Sequence, residues 1–174
     1  MLEYRLVNRD AGFHHSTSRE GVTLIVKEIM TADVKSVKPD SLVRDVAMVM
    51  CLQKISGMPV VDEGGNLVGI ISEKDILQHM FPDVDEAMTM DAKPDFEDME
   101  RRYTETLGMR VSELMTRNVA TVSADMPCLK AASMMWLRKI RRIPVTEGTK
   151  LVGIVSIGDV HRAIFQNQLV NQVT

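Results

Sequence analysis

The sequence predicts a mixed α/β protein of the α+β class, built from two copies of a β-α-β-β-α unit that pack pseudo-symmetrically through their sheets. The stretch VKEIMTADVKSVKPD returns 85 residues later as VSELMTRNVATVSAD, and LVGIISEKD returns 84 residues later as LVGIVSIGD. Each copy alternates short β-branched runs with a segment of helical period. Two tandem copies fit a pseudo-symmetric pair better than a solenoid, which usually needs roughly three or more repeats.

The first half of each unit is a strand followed by a helix. Val34–Val37 is a β-branched run and is the expected first strand. Asp40 is the expected N-cap of a helix that runs from about Leu42 to Lys54 and that Gly57 ends.

The second half of each unit is a hairpin and a closing helix. Met58–Val61 and Leu67–Ile71 flank the turn sequence EGGN, so they are predicted to pair as a hairpin, and Ser72 opens the next helix. The second copy gives the same order, with a strand at Val119–Val122, a helix from about Leu129 to Lys139, strands at Ile143–Thr146 and Leu151–Val155, and a helix from Ile157.

The units leave three further segments. We divide the chain into a polar leader (1–21), the first unit (22–81), an acidic linker (82–108), the second unit (109–167) and a tail (168–174). Val22–Val26 is apolar enough to form a strand that leads into the first unit.

The linker contains a helix that Pro94 starts and Gly108 ends. Its apolar residues, which recur on one narrow stripe, are Phe96, Met99, Tyr103 and Leu107. The stripe either packs on the two units or faces a partner.

Composition argues against several functions. The net charge of -3 does not favour nucleic acid, and no apolar run approaches the roughly 20 residues that span a membrane. Cys51 and Cys128 have no C-x-x-C spacing, so we expect buried thiols in a reducing cytoplasm. His14 and His15 lack the spacing of a metal pair, and no catalytic motif occurs, so neither a metal site nor an enzyme is expected.

The repeated motifs resemble a tandem pair of CBS domains, or Bateman module. They are IMT and LMT, MPVVDEGGNLVGIIS and IPVTEGTKLVGIVS, and S-x-x-D in both copies, over residues 22–80 and 109–165. The resemblance implies two clefts between the domains and a disc-shaped homodimer. It also implies a non-catalytic module that regulates a partner in trans, with AMP, ADP, ATP or S-adenosyl methionine as a regulatory ligand rather than an obligatory cofactor.

The resemblance further implies that each S-x-x-D carboxylate binds ribose and faces a base pocket made by the other copy. In one cleft Asp159 and Ser156 would face Ser36, Val37, Ser56, Gly57 and Pro59. In the other, Asp75 and Ser72 would face Thr121, Val122, Arg141, Ile143 and Pro144. Because Arg141 or Arg142 would meet phosphate near Asp159, we expect that cleft to be the stronger nucleotide site.

Each assignment has an alternative. Ser-x-x-Asp is also close to a capping box, a purely structural device. The arginines could be a solvated surface pair, and the whole module could be a structural adaptor that dimerises with empty clefts. Trp136 is bulky and lies among apolar neighbours, so we expect it at a contact between domains or between modules.

Overall fold

The computed structural model describes residues 23–81 and 95–172, in which short helices alternate with two β-hairpins. The elements of the first repeat are α1 (Val26–Ile29), α2 (Val43–Gln53), β1 (Gly57–Val61), β2 (Leu67–Ser72), α3 (Glu73–Leu77) and a 3-10 turn at Gln78–Met80. The rest are α4 (Phe96–Leu107), α5 (Val111–Leu114), α6 (Cys128–Leu137), β3 (Arg142–Glu147), β4 (Lys150–Ser156) and α7 (Ile157–Gln172). The leader and the pair His14 and His15 lie outside the described residues.

Each hairpin is antiparallel, as predicted, and the two are equivalent. β1 pairs with β2, and β3 pairs with β4, each with one register shift near the turn. The expected first strands are reduced to single parallel bridges, Val37 to Val60 and Val122 to Val145. The β-α-β-β-α order is therefore present, although the first strand of each unit contributes only one bridge.

The two repeats meet at their hairpin turns. The Leu67 N–H donates to the Thr149 carbonyl at 2.9 Å, and the Leu151 N–H donates to the Gly65 carbonyl at 3.2 Å. The Thr149 hydroxyl also donates to the Asn66 side-chain oxygen at 2.7 Å. The sheets are thus joined through their backbones at one end, which supports the predicted pairing through sheets.

The two short helices that lead into the repeats, α1 and α5, are exchanged: each packs in the core of the other repeat. We call these segments the lead-ins. Val26 of α1 is fully buried in the core of the second repeat, and the Thr31 backbone pairs with Ile154. In return, Val111 of α5 is fully buried in the core of the first repeat, and the Thr116 backbone pairs with Ile70. The prediction of a strand at Val22–Val26 is wrong over its described residues, because this segment forms one bridge at Ile25 and then turns into α1.

The exchanged segments also cap the long helices. The first N–H of α2, at Val43, donates to the Met109 carbonyl at 3.0 Å, and that of α6, at Cys128, donates to the Leu24 carbonyl at 2.9 Å. The prediction that Asp40 caps α2 is wrong: the N-cap residue is Leu42, whose side chain makes no capping bond. A backbone carbonyl from the exchanged segment satisfies a donor that would otherwise need a side-chain cap.

The ends of α2 and of its equivalent α6 also differ from expectation. Lys54 and Lys139 have φ angles of 54° and 55°, so a left-handed lysine follows each helix. Gly57, the expected stop, lies in β1 instead. Within the helices, Cys128 is buried as expected, whereas Cys51 is exposed and the prediction of a buried thiol is wrong there.

Two glycines allow the exchange to close. A Cβ atom on Gly153 would lie 2.5 Å from the Met30 sulfur, and one on Gly69 would lie 2.7 Å from the Met115 sulfur. Both distances are well below contact distance, and a backbone carbonyl oxygen lies 3.1 Å from each Cβ position, so a larger residue at either glycine would displace the methionine and crowd the backbone. The lead-in of each repeat is therefore seated directly on the last strand of the other.

The linker helix α4 begins at Phe96, two residues after its predicted start at Pro94, which lies outside the described residues, and it packs on the first repeat. The Asp95 side chain caps it by accepting from the N–H groups of Glu97 and Asp98, both at 3.1 Å. Tyr103 and Leu107 pack against the core of the first repeat. Phe96, at the start of the stripe, is exposed. The prediction of a helix laid on the module is therefore confirmed for the C-terminal half of the stripe.

Candidate functional site

Both S-x-x-D motifs form capping boxes. The N–H and the hydroxyl of Ser156 donate to Asp159 Oδ2 at 2.9 and 2.6 Å, and the Asp159 N–H donates to Ser156 Oγ at 3.2 Å. The corresponding distances for Ser72 and Asp75 are 2.7, 2.6 and 3.3 Å. These bonds satisfy donors at the start of α7 and α3, so the structural role of each motif is present.

The cap occupies only one oxygen of Asp159. Oδ2 receives both bonds from Ser156, whereas Oδ1 lies 3.7 Å from Nη1 of the exposed Arg162. A carboxylate has about four lone-pair positions on its two oxygens. Since the side chain is 21% exposed, Oδ1 is able to accept hydrogen bonds from a ligand while Oδ2 keeps the cap.

A cleft of about 300 Å³ opens beside Asp159 and is built from both repeats. Its walls combine four apolar residues with charged and polar groups. The apolar residues are Val34, Ile55, Pro59 and Ile154. The others are Thr31, Asp33, Lys35, Gln53, Gly57, Arg142, Ser156 and Asp159. The cleft thus offers an apolar slot with a carboxylate, a helix N-terminus and cations at its edges.

Five of the residues expected around this cleft line it: Asp159, Ser156, Gly57, Pro59 and Arg142. A Cβ atom on Gly57 would lie 3.3 Å from the Ile71 carbonyl oxygen, so a larger residue would crowd the hairpin there.

The remaining expected residues of this cleft lie beside it. The Val37 backbone donates to Pro59 and accepts from Val61, and its side chain packs on the first core. Ser56 is exposed, is not among the lining residues, and accepts a 2.6 Å hydrogen bond from Arg142 Nη1. Ser36 is exposed and is not among the lining residues.

Of the two arginines that were expected to meet phosphate, one lines the cleft. Both arginines are exposed, but Arg142 lines the cleft, whereas Arg141 does not and uses its carbonyl to accept from the Ile157 N–H at 3.0 Å. Since Arg142 is the first residue of β3 and pairs with Ser156, the strand register brings its side chain to the same end of the hairpin as the capping box.

Sequence reasoning missed the segment before Ser36, which supplies Asp33, Val34 and Lys35 to the cleft. It also missed Ile154, although a signal was present. Residues two apart on a strand share a face, so Ile154 lies on the same face of β4 as Ser156. The pairing of Thr31 with Ile154 then carries the 33–35 segment across that face.

The residues expected around Asp75 are mostly core residues. Val122 is 2% exposed and Ile143 is fully buried, both in the second core. Pro144 is also buried, and its carbonyl accepts from the Val122 N–H at 3.1 Å. Thr121 is partly buried. These residues hold the second repeat together, and only Ser72 and Asp75 have the geometry of the motif itself.

Two kinds of feature are absent from residues 23–81 and 95–172. None of their helices has the length and apolarity needed to cross a membrane. Within the same residues, no cluster of three or more His, Cys, Asp or Glu side chains is placed to hold a metal ion.

Comparison with known proteins places both repeats in one family. The family model of the CBS domain matches residues 26–81 and 111–166. The chloroplastic CBS domain-containing protein CBSX1 of Arabidopsis thaliana is 33% identical over 166 residues, which is 87% of this chain and 68% of the relative. CBSX2 of the same plant is 32% identical over 143 residues, and there the chain spans only 58% of the relative's length.

Solved structures agree with this assignment. The crystal structure of CBSX2 in complex with AMP has a TM-score of 0.65 at 30% identity and covers 83% of this chain and 98% of that one. The CBS domain pair of MJ0100, in complex with 5-methylthioadenosine and S-adenosyl-L-methionine, has a TM-score of 0.61 at 26% identity and covers 83% and 98%. The chain therefore belongs to the CBS domain family and contains two copies of that domain.

Proposed function

We propose that this protein is a regulatory module that binds an adenosyl ligand in the Asp159 cleft and regulates a partner protein in trans. One observation carries the proposal: the cleft joins an apolar slot from both repeats to a carboxylate whose second oxygen is not used by the cap. Two relatives, CBSX2 and MJ0100, have been solved with adenosyl ligands. A cytoplasmic location remains a prediction.

In this proposal each group that lines the cleft holds one part of the ligand. The base would lie between the apolar residues Val34, Ile55 and Ile154, and Asp159 Oδ1 would accept from the ribose hydroxyls. The N-terminus of the 16-residue helix α7 and the Arg142 guanidinium would favour an anionic 5′ substituent. A ligand held by both repeats would bias the equilibrium between their arrangements, which is how a module without catalysis can regulate.

Thermal unfolding with a ligand panel tests the proposal. A ligand that binds only the folded state raises the free energy of unfolding, by about 2.7 kcal/mol at a concentration of 100 times Kd. The midpoint temperature of unfolding rises as a result. We expect AMP, ATP or S-adenosyl methionine to raise it and Asp159→Ala to abolish the rise. No shift with any of the three would favour the structural adaptor instead.

Arg142 should separate AMP from adenosine. We expect AMP to bind more tightly, by roughly 10-fold, because a charge-assisted bond to phosphate is worth about 1.5–3 kcal/mol. The advantage should shrink with added salt. Titration calorimetry on Arg142→Ala should then give equal affinities for the two ligands. Arg141→Ala is the matched control and should keep the difference, because Arg141 does not line the cleft. Equal affinities in the unchanged protein would contradict this assignment.

Homodimerisation is the second part of the proposal. Trp136 is 81% exposed, so the prediction that it lies between domains of one chain is wrong, and a contact between modules remains. Leu137 and Leu129 on the same helix, and Met48 and Leu52 on α2, are also exposed. Apolar surface of this kind marks interaction sites, and we propose that a second copy covers it.

Replacing Trp136 by Glu should dissociate the dimer. The change would bury a charge in the interface, so we expect dimer affinity to fall by about 30- to 1,000-fold, which corresponds to the roughly 2–4 kcal/mol typical of an aromatic hot spot. The thermal midpoint at low concentration should change little, because the side chain is exposed within one chain. Analytical ultracentrifugation measures the dimer affinity, and thermal unfolding measures the midpoint. Phe96→Glu, on α4, is the control and should remain dimeric. A monomeric unchanged protein would refute the dimer.

A further inference from the structure

The exposed apolar residues of α2 and α6 lie at positions that the repeat makes equivalent. At the 85-residue offset, Leu52 corresponds to Leu137, and Cys51 corresponds to Trp136. All four side chains are exposed. Each copy of the chain therefore brings two related helix faces to the proposed dimer interface.

Twofold symmetry allows these faces to pair in two ways. In a twofold interface, a residue that contacts a second residue on the partner copy is contacted by that residue in return. In a head-to-head dimer, α6 packs on the α6 of the other copy and α2 packs on α2. In a head-to-tail dimer, each α6 packs on the α2 of the other copy.

The face of α6 adjoins a cluster of unpaired positive charges. No acidic residue occurs in residues 126–146, whereas five basic residues do: Lys130, Arg138, Lys139, Arg141 and Arg142. Arg138, Lys139 and Arg141 follow directly on the apolar pair Trp136 and Leu137 and are exposed. Across the part of the chain that the structure describes, the side chains of these three residues make no ion pair or hydrogen bond.

The charges of α2 nearly cancel. Arg44 Nε lies 3.6 Å from Asp45 Oδ1, and the one other charged residue among residues 43–57 is Lys54. Head-to-head pairing would bring two basic clusters together with no acidic residue between them, and like charges at close range repel each other even in water. Head-to-tail pairing places each cluster beside the nearly neutral α2 instead.

Side-chain size favours the same pairing. Facing surfaces interdigitate best when large residues alternate with small ones across the contact. Because Cys51 and Trp136 are equivalent, head-to-tail pairing brings each indole to the helix face that carries the smaller thiol. Head-to-head pairing would set the two indoles on one pair of faces and the two thiols on the other.

We propose that two copies of this chain pair head-to-tail, with α6 of each copy packed on α2 of the other. This orientation rests on the proposed homodimer and specifies how its two copies meet. The apolar residues of both helices are then covered, and the basic clusters of the two copies are kept apart.

Mixing the protein with a charge-reversed variant tests the orientation. Arg138→Glu with Lys139→Glu reverses the cluster, and the chain should still fold because both positions are exposed. The variant is mixed with an equal amount of ¹⁵N-labelled unchanged protein, and native mass spectrometry counts the dimers. In a head-to-tail dimer the clusters do not face each other, so we expect heterodimers to form about half of all dimers, the statistical share. In a head-to-head dimer the opposite charges would attract, and the ratio of heterodimers to homodimers would rise by about 10-fold or more.

Cross-linking gives an independent measurement that leaves the charges unchanged. Cys51 is exposed and Cys128 is buried. Ser133→Cys adds a thiol four residues before Leu137 and therefore on the same face of α6. A short bis-maleimide should join Cys51 of one copy to the new thiol of the other. The matched control carries Ser133→Cys together with Cys51→Ser and should give no cross-linked dimer.

The outcomes separate the orientation from the dimer itself. An excess of heterodimers, a charge-reversed variant that does not dimerise, or cross-links between identical positions of the two copies would show that the head-to-tail orientation is wrong while the homodimer stands. If the unchanged protein is a monomer, both the homodimer and its orientation fail.

Discussion

A fragment of residues 23–81, which looks like a complete first repeat, will not fold, whereas a fragment of residues 37–116 will. The core of the first repeat includes Val111, Leu114 and Met115, which lie beyond residue 81. Losing a buried side chain of this kind costs about 2–5 kcal/mol, so three such losses approach or exceed the 5–15 kcal/mol that stabilises a typical domain. The longer fragment contains every buried residue of that core, from Val43 to Met115.

Circular dichroism and urea unfolding of the two fragments provide the measurement. We expect a cooperative transition from 37–116 only, because it also contains Met109, whose carbonyl caps α2. The second repeat gives the contrasting case: its core needs Val26 from the start of the chain, so no continuous fragment confined to residues 111–172 completes it. Cooperative unfolding of 23–81 would show that the exchange is not needed for stability.

The second large effect is expected at Asp159, where Glu and Ala separate the cap from the ligand. A capping box accepts Glu at its last position, so Asp159→Glu should melt like the unchanged protein. The added methylene moves the carboxylate by more than about 1 Å, and a bond to a charged group worth about 1.5–3 kcal/mol loses its geometry. Binding of AMP and S-adenosyl methionine should therefore fall by roughly 10- to 100-fold.

Asp159→Ala should weaken both the helix cap and the binding of the ligand. It removes the acceptor at Oδ2, which costs about 1 kcal/mol of folding stability, and the acceptor at Oδ1, so that affinity falls further. The same two substitutions at Asp75, which forms an equivalent cap, are the matched control. They should affect stability equally but binding less. If Asp159→Glu binds every ligand as tightly as the unchanged protein does, the carboxylate is only a cap.

Local patterns were sufficient to predict the hairpins and the repeat. The turn EGGN between two β-branched runs predicts β1 and β2 because turn chemistry and strand alternation both act over a few residues. The end of α4 was predicted for the same reason, since Gly108 is its C-cap, whereas its start was expected at Pro94 and the N-cap is Asp95.

Interactions between distant segments could not be predicted in this way. Val26 and Val111 are apolar residues that would fit the core of either repeat, and nothing near them in sequence selects the other one. The true caps of α2 and α6 are backbone carbonyls of Met109 and Leu24, which any residue type carries. The left-handed Lys54 lacks the usual glycine signal, and the helix end there is closed by the N–H groups of Lys54 and Ile55, which both donate to the Met50 carbonyl.

The residues of the candidate site also fall into two groups: those that a local motif predicts and those that only a distant contact positions. Asp159 and Ser156 were found because a capping box and a ligand carboxylate share one short motif. Asp33 and Lys35 were missed because they lie in a segment without periodicity, and only the pairing of Thr31 with Ile154 places that segment over the cleft.

The exchanged lead-ins also constrain how the gene could have evolved. In this chain each unit buries its lead-in on the other unit, so the two units are joined as the subunits of an exchanged dimer would be. Each exchange contact is then made twice, and its residues match in both halves: Val26 with Val111 and Met30 with Met115. The residues that line the two clefts do not have to match in this way. Lys35 lines the Asp159 cleft, whereas the residue at the equivalent position of the second repeat is Ala120, so the duplicated scaffold permits the two clefts to differ in charge.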